Sequence, residues 1–118
     1  MGAANGTPIG TLGWLDLTDE RAPEVRDFYQ SVVGFHTEPL SMGDYDDYVM
    51  KTADGETAVC GIVHKRGSNA EVPPGWIPYF VVADLAQSAA QVTSMGGELL
   101  GQAREYGSGA FQYVRDPS

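Results

Sequence analysis

From Ile9 to Thr18 apolar and polar residues alternate, with Leu15 and Leu17 on one face and Trp14, Asp16 and Thr18 on the other. A period of two predicts a strand. The period then lengthens: Val25, Phe28, Tyr29, Val32 and Val33 recur at helical spacing. This predicts an amphipathic helix, capped by Asp19, with Pro23 in its first turn and Gly34 ending it in a left-handed conformation. Residues 35–40, 45–52 and 57–64 read as three further strands, turned by Met42-Gly43-Asp44 and Asp54-Gly55. A polar connector over 65–74 follows, and the pattern restarts. Residues 76–83 form a strand that must place Pro78 where no ladder N–H is required. Asp84 opens a helix with Leu85, Ala89, Val92 and Met95 on one face, and Gly96-Gly97 closes it. Two strands are expected over 98–102 and 110–115, and residues 1–8 read as a mobile lead-in.

The restart is a repeat. Gly13-Trp14 returns as Gly75-Trp76, Val33-Gly34 as Met95-Gly96 and Asp54-Gly55 as Asp116-Pro117, each pair 62 residues apart. The first module, about 9–64, is β-α-β-β-β. The second, about 75–118, is β-α-β-β within a single domain, and an equivalent last strand would begin near residue 119. The expectation is that the natural chain continues past Ser118. The alternative is that the unpaired edge adds to another chain.

Composition narrows the classes. The chain has 118 residues, 42% apolar and 19% charged, as in an ordinary globular domain. Its apolar runs are too short for a membrane span, and no basic-then-apolar leader suggests secretion. Residue 6 is Gly, so the myristoylation pattern fails, and without a secretory route the Asn5-Gly6-Thr7 sequon carries no expectation. A single cysteine, Cys60, fits a reducing cytoplasm. Net charge is −9, with eleven of the sixteen acids at or before Glu56, which disfavours nucleic acid.

The order of elements resembles the vicinal oxygen chelate superfamily, which includes glyoxalase I, bleomycin-resistance proteins and extradiol dioxygenases. Phe28-Tyr29 before Val33-Gly34, Gly96-Gly97 after the second helix and the closing Val114-Arg115-Asp116-Pro117 carry the likeness from about Gly10 to Ser118. It implies an α+β fold of paired β-α-β-β-β modules whose sheets curl around a cleft, with helices on the outer face. Leu15 and Leu17 would face a helix, and Trp14, Asp16 and Thr18 the cleft. In metal-using relatives, His, Gln or Glu from the first and last strands of each module hold a divalent ion. Those positions fall here on Trp14, on Trp76 or its neighbour Ile77, near Gly61, and on the strand not present. An indole N–H only donates and glycine has no side chain, so the family's metal site is not encoded. A two-residue shift of the first strand brings Asp16 forward, but one carboxylate is not a site.

Other chemistry has little footing. His36 and His64 read as half-exposed residues at strand ends, Asp44, Asp46 and Asp47 as a solvated turn, and Cys60 as a small core residue. No phosphate-binding loop, Ser-His-Asp set or Cys-x-x-Cys pair is present. Under the family geometry Trp14, Tyr48, Met50, Trp76, Phe80 and Phe111 would crowd the cleft, with Asp16 near its base. Such rings stack on flat ligands, and an acid among them favours cationic or neutral aromatic guests. The expected protein is a metal-free binder of a small aromatic or hydrophobic molecule, similar to the bleomycin-resistance branch. It would be cytoplasmic and homodimeric, with no cofactor, no catalytic residue and no nucleic-acid or membrane partner. A metal-dependent lyase, isomerase or dioxygenase of the same superfamily is the alternative. A non-catalytic interaction module with its cleft packed shut is a third reading.

Overall fold

The alternation that begins the chain becomes β1, Leu12–Asp19, three residues later than its first apolar position suggests. The computed structural model describes residues 6–118, so most of the lead-in, with Asn5 of the sequon, lies outside the described residues. Helix α1 spans Ala22–Val33, with Pro23 in its first turn and Gly34 left-handed (φ 89°), its amide bonded to the Gln30 carbonyl. The expected cap does not form. Asp19 is the last residue of β1, and its carboxylate accepts from the Arg21 amide at 2.8 Å, while Arg21 occupies the cap position without a side-chain bond.

Strands β2 (His36–Ser41), β3 (Asp46–Lys51) and β4 (Ala58–His64) form an antiparallel meander, and β4 then runs parallel to β1. A single 3-10 turn at Gly67–Asn69 interrupts the connector. Strand β5, Gly75–Phe80, stops three residues short of the expected end and completes a five-stranded sheet in the order β2-β3-β4-β1-β5. Pro78 is accommodated because β5 lies at the sheet edge. Helix α2, Leu85–Ser94, opens as read, with the Asp84 carboxylate accepting from the Gln87 amide at 3.1 Å. After it, a β-carbon on Gly97 would lie 2.8 Å from the Arg115 carbonyl and 2.9 Å from the Val92 side chain. Close backbone approach therefore requires the second glycine of Gly96-Gly97. Strands β6 (Glu98–Tyr106) and β7 (Gly109–Arg115) pair as a separate antiparallel hairpin, irregular between Leu100 and Arg104.

Backbone contacts divide this α+β chain into two units, Trp14–Pro78 and the segment ending at Gly13 together with Tyr79–Ser118. In the first, Leu17, Ala22, Tyr48, Met50, Cys60 and Ile62 form the core, flanked by Leu15, Val25, Tyr29 and Phe35. Leu15 and Leu17 thus meet α1 as the alternation requires. In the second, Val81 is the one buried hydrophobic residue among the described residues, and α2 contributes none. No helix among the described residues is long and apolar enough to cross a membrane.

Candidate functional site

Strand register decides which side chains share a face. Asp16 is opposite Gly61, Gly61 opposite Val49 and Val49 opposite Glu38, so these four form one row across the sheet. Leu17, Ile62 and Tyr48 form the next row, which alternation turns to the opposite face, under α1. Trp14, two residues before Asp16, shares its face. The face away from α1 therefore carries Trp14, Asp16, Gly61, Val49 and Glu38.

On that face Trp14 and Asp16 are joined. The indole Nε1–H donates to Asp16 Oδ1 at 2.7 Å, and both residues are half-buried. A donor at this distance from an ionised acceptor makes one of the stronger hydrogen bonds available to side chains, about 1.5–3 kcal/mol net. The bond forms because Gly61, itself buried, has no side chain. A β-carbon there would collide with Asp16 Oδ1 and lie 3.5 Å from Trp14 Nε1. Asp16 thus occupies the space in which a residue-61 side chain would begin. Its charge is also felt on the other side of β4: burial first, and then Asp16, push the Cys60 thiol up to about 11. Farther along the face, Lys51 pairs with Glu38 at 2.5 Å. The hydrogen bond from Lys51, and then its charge, hold the Glu38 carboxyl below the usual carboxylate range.

Other residues expected beside Asp16 are elsewhere. Tyr48 and Met50 lie on the helix side of the sheet, Met50 fully buried and Tyr48 beneath Arg26 of α1, whose guanidinium is 4.5 Å from the ring centroid. The expectation reversed the parity of β3. Trp76 is likewise on the helix side: its ring meets Tyr29 of α1 edge-on at 5.3 Å, and its Nε1–H donates to the Tyr29 hydroxyl at 3.3 Å. Ile77, the alternative position, takes the opposite face of β5. Phe80 follows the parity of Trp76 and is exposed. In the other unit Phe111 packs edge-on against Tyr79 and Tyr113, whose hydroxyls lie 2.5 Å apart, with the Arg104 guanidinium 5.2 Å from the Tyr113 ring. Tyr79 and Tyr113 were missed by sequence reasoning. The signal was available: Phe111 and Tyr113 are two apart on β7, and Tyr79 alternates with Trp76 on β5.

His64 and Asp47 also depart from the sequence reading. Asp47 is buried rather than solvated, and accepts from the His64 amide at 2.8 Å with His64 Nδ1 at 3.1 Å. The imidazole sits edge-on to Tyr45 at 5.0 Å. This pair ties β3 to the end of β4. The fit of a metal ion is poor on the chain's own atoms. Trp14 presents a donor already engaged by Asp16, residue 61 presents nothing, and no three His, Cys, Asp or Glu side chains gather among the described residues.

A sheet of this topology bearing such a face defines a class. The chain belongs to the Glyoxalase/Bleomycin resistance protein/Dioxygenase superfamily, whose model it matches over residues 11–118. It is 29% identical over 119 residues to CFP32, a candidate glyoxylase of Mycobacterium tuberculosis and Mycobacterium bovis. It is 26% identical over 112 residues to the anthracycline biosynthesis protein DnrV of Streptomyces peucetius. These alignments cover 99% and 95% of this chain but only 44% and 39% of the relatives, so the chain spans less than half their length. Among solved structures, a methylmalonyl-CoA epimerase variant of Streptomyces coelicolor in complex with 2-nitronate-propionyl-CoA is similar at a TM-score of 0.47. That pair is 19% identical, covering 90% of this chain and 89% of the other.

Proposed function

We propose that the chain is a metal-free binding protein for a small aromatic molecule, held on the Trp14–Asp16 face. The observation that carries this reading is the indole-to-carboxylate bond over Gly61. Two positions at which the family resemblance implies metal ligands hold a ring and a glycine. The same atoms suit a guest: a ring offers stacking area, and a fixed carboxylate offers an acceptor or counter-charge. Trp14 also gains as a cation receptor, because donating its N–H to an anion enriches the ring face in electron density. The relative named for anthracycline biosynthesis supports an aromatic guest, since anthracyclines are fused rings bearing an amino sugar. A single cysteine fits a cytoplasmic location for this binder, and family habit a homodimer.

Doxorubicin, a fluorescent planar amine, is the probe. Titration into wild type is expected to quench its fluorescence saturably, and Trp14→Ala and Asp16→Ala to weaken binding by ~tenfold or more, the worth of one charged hydrogen bond. The relatives named as candidate glyoxylases favour a second reading, a metal-dependent lyase, isomerase or dioxygenase. Metal analysis of protein purified without chelators separates the two. Stoichiometric zinc, nickel, manganese or iron that is lost in Asp16→Ala would establish the second reading and overturn the first.

A further inference from the structure

We infer that Gly61 is the positioning residue of this site: the absence of a side chain on β4 seats Asp16 against Trp14 and so sets the preference for a protonated amine. The inference rests on the binding reading above for its ligand, but its geometry stands alone. Asp16 and Gly61 are direct partners across the parallel β1–β4 pair, so their relation is fixed by backbone hydrogen bonding rather than by a mobile loop. Gly61 is in a strand and not at a positive φ, so backbone conformation gives no reason for glycine here. Space does. Of the atoms near its missing β-carbon, the nearest are the Asp16 carboxylate and the Trp14 indole nitrogen. Any side chain would displace the far end of Asp16, which a rotation can accommodate, leaving the fold intact and the bond to Trp14 broken. The consequence is chemical. With Asp16 seated, negative charge and an electron-rich ring are adjacent and can engage one ammonium together. With Asp16 displaced, the ring remains but the counter-charge leaves it.

The test compares wild type, Gly61→Ala, Asp16→Asn and the double variant by two readouts. The first is the proton shift of the Trp14 indole N–H, which reports its bond to a carboxylate. The second is affinity for doxorubicin against its neutral aglycone, doxorubicinone. Because the Asn amide oxygen can still accept, Gly61→Ala is expected to move the indole resonance from its wild-type position at least as far as Asp16→Asn does. It should also weaken doxorubicin by ~tenfold while changing doxorubicinone less than twofold, as loss of a single charged contact predicts. In the Asp16→Asn background Gly61→Ala should add nothing further to the discrimination. An unmoved indole resonance overturns the inference, as does equal weakening of both ligands, which would mark loss of shape alone. If wild type binds neither ligand, the binding reading fails while the indole shift still decides the positioning claim. Should Gly61→Ala not fold, the pair Gly61→Ala/Asp16→Gly removes the collision. Recovered folding supports the inference and continued misfolding overturns it.

Discussion

At the scale of the residue, what a position lacks can matter as much as what it carries. Gly61 is legible in the sequence as a departure from a ligand position, but its partner is not, because the two residues are 45 positions apart and meet only through the β1–β4 register. Trp14 and Asp16 were legible together, two apart on an alternating strand. Tyr48 and Met50 were not: a buried strand carrying Tyr, Val and Met on both faces offers no alternation from which to read parity. Asp47 hid for another reason. It follows two acids in a turn-like string, and only the tertiary fold brings His64 to it. Cys60 gives the residue-scale prediction. Its thiol is raised from 9.0 to about 11, so the native protein holds that proton more tightly than the unfolded chain. Its contribution to stability is complete below about pH 9 and is lost as pH rises from 9 through 11. Unfolding measured at pH 8 and pH 10.5 should show a decline in wild type larger by on the order of 2 kcal/mol than in Cys60→Ala. Equal declines would dispose of the point. Iodoacetamide at pH 8 should label Cys60 slowly in the native state and rapidly in denaturant.

At the scale of the element, both helices and every strand were readable as types, and their ends shifted by a few residues. β1 begins at Leu12 and β5 ends at Phe80, although beyond them the Gly10 amide still donates to the Val81 carbonyl and the Val81 amide to the Thr11 carbonyl. The face of β5 was read one residue out of phase, since tryptophan draws attention as a ligand-facing residue while α1 supplies it a partner in Tyr29. Helix α1 shows a different gap. Its apolar stripe is wide, and periodicity alone does not say which part meets the sheet. Val25 and Tyr29 pack on the core, whereas Phe28, Val32 and Val33 are exposed. Stability should divide accordingly. Met50→Ala, emptying a fully buried position, is expected to cost about 2–5 kcal/mol in urea unfolding, and Val32→Ala less than about 1 kcal/mol. Comparable losses at the two sites would mean that the outer stripe of α1 is covered in solution.

At the scale of the whole molecule, the order of elements read from the sequence is the order observed, and its resemblance anticipated the superfamily to which the chain belongs. It did not anticipate how unevenly burial is distributed, because copies alike in pattern can differ in what each encloses. Nearly all buried side chains among the described residues lie in the unit Trp14–Pro78, and α2 carries none. Native-state hydrogen exchange should follow this division, with amides of β3, β4 and α1 protected to the global unfolding limit. Amides of α2 and the β6–β7 hairpin should exchange through smaller openings. Uniform protection would show that the two units unfold as one. The collision at Gly61 has a consequence on a longer timescale, that of lineage. A mutation that places any side chain at residue 61 arrives in a space already held by Asp16, so it must displace that carboxylate first. Room for it appears only when residue 16 changes as well. Residue 61 is therefore epistatic to residue 16, and a bulky side chain there calls for a second substitution.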